Sequence, residues 1–425
     1  MINRTKWLAS LAESATPDID ECIDVLGEHI DWLYRLKKTE QDSQWHAEGN
    51  VHIHTGMVLD ELYNLLAGDA KHIQGLHRQA LVLAALLHDI AKPMRTRVYV
   101  KDGEERIGAP MHAYYGASYL AFKLPGLELA FSTIWSILSL VAEHHTPKML
   151  VVKNKPKSEY FLHARQVNTE LVYWLEVADM RGRTCSDPEH QLQCLEEYRM
   201  FAEEYGVWGR ENDVQSALKP SLADLSVKTQ NYVYGYAVQQ LETGKIVQPE
   251  EALATTYEHR DDHSRVVILC GPSGSGKSTF IAKNYPDYAI VSLDDLRERF
   301  NNDRSSQKNK GQIIQFAKEQ LRTELRNKKD VIWDATNVRK DFRSVISTLA
   351  QNYHALVVLV VFIVPEETLY KNNRERVNCV SEDVLKTQIE RYQMPLLCEA
   401  HQLCVIDLTG DVVCESGRFS SICPC

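Results

Sequence analysis

Between residues 50 and 260, apolar positions recur at the three-to-four spacing of helices that pack one face inward. Val58, Leu59, Leu62, Leu65 and Leu66 form one such stripe, and Leu171, Trp174, Leu175 and Ala178 form another. Residues 80–91 are apolar nearly all round, which predicts a buried helix. The one stretch of alternating character, 98–107, carries a turn signal at Asp102-Gly103 and reads as a short hairpin. Beyond residue 260 the period changes. Short apolar runs at 266–270, 289–293, 331–333, 356–364 and 404–407 alternate with helical segments such as 308–328. Strand–helix alternation predicts a parallel sheet with right-handed crossovers. The polar stretch 258–265 reads as the joint between an all-α region and an α/β region.

The 425 residues exceed one ordinary domain and suit two or three. No apolar run reaches the roughly 18 residues that span a bilayer, and the first residues lack the apolar core of a secretion signal. The ten cysteines follow no regular framework, so a reducing cytoplasm is the expected compartment. Cys423 and Cys425 form a terminal pair with no further ligand nearby in sequence, and read as incidental.

The formal charge of −10 excludes a broadly basic nucleic-acid coat. From Ser264 onward there are 22 Lys and Arg against 20 Asp and Glu, whereas the remainder carries 26 against 38. Any phosphate-rich polymer would therefore meet local basic surface rather than a global field. The acidic half also suits a metal-binding region.

Gly271-Pro-Ser-Gly-Ser-Gly276-Lys277-Ser278 fits G-x-x-x-x-G-K-[ST] between an apolar run and a helix start. In such a loop the backbone amides of Gly271, Ser273, Gly274, Ser275 and Gly276 can face phosphate oxygens, and Thr279 continues into the helix. Lys277 is placed to meet the β- and γ-phosphates, and Ser278 to hold Mg²⁺. The next strand ends in Asp294-Asp295-Leu296-Arg297, at the sheet edge where ligands of open α/β folds lie. A carboxylate there can take a proton from an attacking hydroxyl, and Arg297 can grip a phosphate by its fork of donors. Asp334-Ala-Thr336-Asn337 closes a further strand. Arg374 and Arg376 follow in a polar helical stretch.

These segments together resemble the polynucleotide kinase family: P-loop, D-D-x-R, D-x-T-N and an arginine-bearing lid before Glu390-Arg-Tyr-Gln-Met-Pro395. The resemblance covers residues 265–404. It implies Asp294 as general base, Arg297 as the ligand of the acceptor's 3′ phosphate, and Arg374, with Arg376 as alternative, as the lid arginine.

The N-terminal half carries His54, His88-Asp89, His112, His144-His145 and Asp179, all in or beside expected helices. Imidazole and carboxylate suit divalent transition metals. Asp89 stands out, because its helix is otherwise too apolar to accept an unpaired charge. Histidines 29, 46, 52, 72, 77 and 163 read as structural or solvated. The motifs around His54, His88-Asp89-Ile-Ala-Lys92, Met111-His112, His144-His145 and Asp179-Met-Arg-Gly-Arg183 resemble the HD phosphohydrolase superfamily, in particular HD domains attached to some bacterial tRNA nucleotidyltransferases.

That likeness implies His54, His88, Asp89 and Asp179 as ligands of one ion. A second ion would take His112 and one of His144 and His145, with the choice between the two left open. It also implies Lys92 and Arg183 as contacts of substrate phosphate. Mn, Co, Ni or Fe are the expected metals.

An HD domain followed by such a kinase resembles the bacterial HD-Pnk end-healing enzymes. The expected fold is thus multidomain: an all-α HD domain (1–183), a helical extension or bridge (184–258), and a P-loop α/β kinase domain with a parallel sheet (264–425). The implied activities are phosphorylation of 5′-OH ends of RNA or DNA by ATP or another NTP with Mg²⁺, and hydrolysis of 2′,3′-cyclic phosphate or 2′-phosphate ends. No ligase signature is present, so a separate ligase is the expected partner. Two other readings use the same motifs. One is a small-molecule kinase fused to a nucleotide phosphohydrolase. The other is an NTP-gated switch whose HD site is a degenerate sensor.

Overall fold

A computed structural model describes residues 3–101, 103–302 and 308–419. Asp102 of the hairpin turn, and Cys423 and Cys425, lie outside the described residues. The chain separates into two compact units, one running to Asn212 and the other starting at Asp213. Among the described residues no helix is long and apolar enough to cross a membrane.

The first unit is helical apart from one hairpin, β1 (Arg97–Lys101) and β2 (Glu104–Gly108), which is pinned where Arg106 donates to both oxygens of Asp42. Two core helices, Val51–Ala67 and Thr169–Arg181, begin at asparagine caps, Asn50 and Asn168, whose side chains accept otherwise orphaned amides. The apolar helix expected over 80–91 spans Gly75–Leu87 and ends earlier. His88–Ala91 is instead a turn, with Ile90 N–H bonded to Leu87 O and Lys92 N–H to Asp89 O. The doublet thus sits at a helix end, where the chain is free to aim both side chains to one side.

The second unit is built on a six-stranded sheet. Its strands are β3 (Arg265–Cys270), β4 (Ala289–Ser292), β5 (Val331–Asp334), β6 (Leu356–Phe362), β7 (Gln402–Ile406) and β8 (Val412–Ser416), in the order β4-β5-β3-β6-β7-β8. All neighbours are parallel except the last pair. β3 and β6 are covered on both faces, which is why they read as continuous apolar runs.

Sequence reading missed β8. It is short, half exposed and joined by a tight turn that Asp407 organises by accepting from Thr409 and Asp411 amides. Leu293 belongs to a helix, not to β4: Ser292 caps Leu293–Asn301 by accepting from Asp295 N–H.

The stretch 184–258 is divided between the units. The helix Pro188–Glu204 belongs to the first. Helices Val214–Leu222, Val227–Glu242 and Glu251–Thr256 belong to the second, where Gln239 meets His401 and Asn231 accepts the Phe419 amide.

Beneath the sheet edge Arg343 is buried and forks onto Glu399 at 2.7 and 2.9 Å, while it also donates to Asn337 O. Removing one partner strands the other charge in the interior, which costs about 3–5 kcal/mol. Arg343→Ala is therefore expected to lower the melting temperature of the second unit sharply. Denaturant unfolding checks it, and an unchanged midpoint would contradict the assignment.

Candidate active sites

The helical unit gathers its histidines at helix ends. His54 lies in the first turn of Val51–Ala67, and His88 just past Leu87. His112 opens His112–Lys123, behind Met111 in the left-handed region (φ 59°). His144 and His145 stand at the break between Phe131–Glu143 and Thr146–Val152, where Pro147 restarts the helix. That break lets neighbouring residues face the same point.

Four of these imidazoles are locked in the same way. Nδ1 of His88, His112 and His144 donates to the carbonyls of Ala85, Ala109 and Val141 at 2.7–2.8 Å, and Nδ1 of His54 lies 3.1 Å from Gly182 O. Each therefore presents its Nε2 lone pair inward. Nε2 of His54, His88 and His144 is buried with no aligned hydrogen-bond partner among the described residues. Three converging, desolvated acceptors are costly unless a cation receives them.

The atoms form three groups, of which His46, Glu48 and His54 make one and the other two meet at Asp89. His54, His88 and Asp179 offer ligand atoms within 4.8 Å of one another, and so do His112, His144 and His145. Asp89 reaches both, with Oδ2 3.2 Å from His88 Nε2 and Oδ1 3.0 Å from His112 Nε2. Burial opposes the charge of Asp89, but Lys92, His88 and His112 outweigh it and hold the carboxyl well below the usual range. For Asp179, Arg183 and His54 do the same. Lys92 Nζ sits 2.7 Å from Asp89 and 2.6 Å from Gln41 Oε1, and one Arg183 nitrogen, Nη2, donates to both Asp179 oxygens at 2.6 and 2.8 Å.

Gly182 makes the close approach possible. A Cβ there would lie 2.6 Å from the Val58 amide, so only glycine lets the Asp179 helix end reach the His54 helix. The donor set of imidazole nitrogens and carboxylate oxygens fits divalent transition ions. Sequence reasoning read His46 as structural or solvated and passed over Glu48 and Glu176. His46 stacks edge-on to His54 at 4.7 Å and is bonded to Glu48, which also approaches His54 Nδ1 at 3.1 Å. Burial lowers His46 to about 4. Glu176, fully buried, lies 3.5 Å from His145 Nδ1.

In the second unit the P-loop follows β3. Gly274 (φ 83°) and Gly276 (φ 91°) take left-handed backbone that side chains resist. Gly274 is also tight against the Glu366–Glu375 helix: a Cβ would lie 2.6 Å from Leu369 O. Lys277 Nζ donates to Gly271 O and Pro272 O at 2.8 Å and approaches Ser275 Oγ at 3.4 Å. Burial lowers its pKa to about 8, opposed by Asp334 and reinforced by Arg376. Ser273 N–H donates to Gln388 Oε1 at 2.7 Å, and Asn372 donates to Gly274 O at 3.0 Å. The segment 366–390 is thus folded onto the loop. Ser278 and Thr279 are exposed on the first turn of Lys277–Asn284.

Asp294 and Arg297 pair with each other at the carboxyl end of β4, and Asp294 is exposed. Ser292 and Asp334 are register partners, so the ends of β4 and β5 open side by side next to the loop. Burial raises Asp334 above its ordinary value, opposed by Lys277. Asn337 is buried against the strand that precedes the P-loop. In left-handed backbone (φ 45°) it donates to Leu269 O at 2.7 Å, and Thr336 O receives the Gly271 amide, so this segment braces the P-loop. The two arginines expected to form a lid are both exposed: Arg374 lies 3.4 Å from Glu382, and the charge of Arg376 works against that of Lys277.

A family model described as the HD domain matches residues 53–178, and one described as an AAA domain matches residues 266–395. No curated protein matches the chain. The second match implies a bound nucleotide with Mg²⁺, and the first, with its histidine–aspartate cluster, a divalent metal. The chain joins an HD domain of the phosphohydrolase type to a P-loop kinase-like α/β domain.

Proposed function

We propose that the chain heals both ends of broken polynucleotides, phosphorylating 5′-OH termini and hydrolysing 2′,3′-cyclic phosphate or 2′-phosphate termini. The observation that carries the polymer reading is the Asp294–Arg297 pair beside Lys277, at the open edge of the sheet. Asp294 accepts the proton of the 5′-hydroxyl. Arg297 turns from Asp294 to the acceptor's own phosphate, which frees the carboxylate as substrate arrives. Lys277 leaves the loop carbonyls for the β- and γ-phosphates, and Arg374, with Arg376 as the alternative, compensates charge on the transferring group.

At the other site His54, His88, Asp89 and Asp179 would hold one ion, and His112, His144 and His145 would hold a second, with Asp89 within reach of both sets. When bound, such a pair lowers the pKa of water and neutralises phosphate charge. Lys92 and Arg183 exchange their carboxylate partners for substrate oxygens. A separate ligase would seal the healed ends. The compartment expected is cytoplasmic.

The 5′ reading is tested with Arg297→Ala. Transfer to an oligonucleotide is expected to fall about 10- to 100-fold in kcat/KM, the loss of one charge-assisted contact of about 1.5–3 kcal/mol. Transfer to a free nucleoside is expected to hold. Equal losses on both acceptors would favour a small-molecule kinase.

A further inference from the structure

We propose that Glu176 is the positioning residue for a second divalent ion: it sits behind His145 and fixes that ring with Nε2 turned toward His112 and His144. The inference rests on the two-ion reading above and adds a residue that no motif marks.

The geometry has three parts. His145 Nε2 lies 3.2 Å from His112 Nε2, so these two nitrogens face each other. His112 Nδ1 already donates to Ala109 O, which leaves its Nε2 a lone pair. Two lone pairs at that separation repel unless a cation or a proton lies between them. The opposite nitrogen of His145, Nδ1, lies 3.5 Å from Glu176 Oε1, just beyond a formed hydrogen bond. An acceptor there selects the Nδ1–H tautomer and leaves Nε2 to a metal. The other three rings obtain that selection from helix-end carbonyls. Among the described residues His145 is the member of its trio without a carbonyl partner, and Glu176 is the acceptor beside its Nδ1.

Among the described residues Glu176 makes no hydrogen bond, and Lys148 is the main cation acting on it. Its side chain is fully buried, and neither oxygen has a hydrogen-bond partner among the described residues. Leaving a polar group so costs about 1–3 kcal/mol, and such groups call for an explanation in function. It stands one helical turn before Asp179, on the same face of Thr169–Arg181. One helix therefore sends one carboxylate toward each set: Asp179 directly to His54, and Glu176 to the back of His145. Either protonation state of Glu176 retains an oxygen that accepts from Nδ1–H. A slight closure from 3.5 Å brings it to hydrogen-bond length.

The test is a Mn²⁺ titration of metal-stripped full-length protein without nucleotide, with bound ions counted by mass spectrometry. Wild type is expected to bind two ions tightly. Glu176→Leu is expected to keep the first and weaken the second about 10- to 100-fold, the usual loss when the partner behind a metal ligand is removed. Glu176→Gln, which keeps the shape and an acceptor oxygen, is expected to restore the second ion to within about threefold.

Nitrogen NMR of the metal-free protein supplies a readout that packing alone would not move. His145 should be the Nδ1–H tautomer in wild type and Glu176→Gln, and a mixture in Glu176→Leu. If Glu176→Leu fails to fold, the Gln variant and the wild-type tautomer still decide. An Nε2–H tautomer in wild type would overturn the proposal. Two ions bound at unchanged affinity by Glu176→Leu would overturn the role of Glu176 alone. A single ion bound by wild type would overturn the two-ion reading as well.

Discussion

Asp89→Asn is expected to abolish phosphoester hydrolysis, on the order of 10³-fold or more in kcat, while phosphate transfer to a 5′-hydroxyl proceeds at its normal rate. The reason lies in the placement of its two oxygens, one toward His88 and one toward His112. No other carboxylate among the described residues is seen to reach both sets. Asparagine keeps the shape but removes the charge that Lys92, His88 and His112 stabilise. Lys92 then loses its ion-pair partner in the interior and keeps only Gln41. Metal content should therefore fall together with activity. Assay of a small phosphodiester, with metal analysis of the same sample, checks it. Full hydrolysis with fewer ions bound would remove Asp89 from the residues proposed to hold the metal.

The reciprocal variant, Asp294→Ala, is expected to lower transfer to 5′-OH oligonucleotides by about 10²–10⁴-fold, the range for loss of a general base. Hydrolysis at the helical unit should be untouched. Asp294 is exposed and pairs with Arg297 at the surface, so its removal is expected to leave the fold intact. The loss should appear in kcat rather than in the KM for nucleotide, because the P-loop amides and Lys277 remain. A rate within threefold of wild type would transfer the base role elsewhere, with the neighbouring Asp295 and Asp334 as the next carboxylates to test.

Much of this arrangement was legible in the chain because phosphate chemistry constrains local sequence. A loop that points amides at an anion needs glycines at set spacing, and the strand and helix that flank it advertise themselves by period. Asp89 was legible as a charge set among apolar neighbours. The same argument would have found Glu176, a carboxylate among Trp174, Leu175 and Ala178 in an apolar stripe, had it been applied there.

His46 was not legible. It lies in irregular chain before the first core helix, and only the folding of that loop against Thr184 brings Glu48 and His46 to His54. Gln388 was equally hidden: more than a hundred residues separate it from the Ser273 amide it meets. The exit of the helix at Leu87, rather than at residue 91, depends on turn hydrogen bonds that periodicity does not register. β8 escaped for a related reason, being an edge strand whose short alternation carries little apolar signal.

The decisive measurement follows both termini of one oligonucleotide that carries a 5′-hydroxyl and a 2′,3′-cyclic phosphate. It is incubated with ATP, Mg²⁺ and Mn²⁺ and either wild type, Asp294→Ala or Asp89→Asn. The account predicts that wild type converts both ends, that Asp294→Ala converts only the 3′ side, and that Asp89→Asn converts only the 5′ side. Wild type that leaves both termini unchanged while phosphorylating a free nucleoside would contradict it.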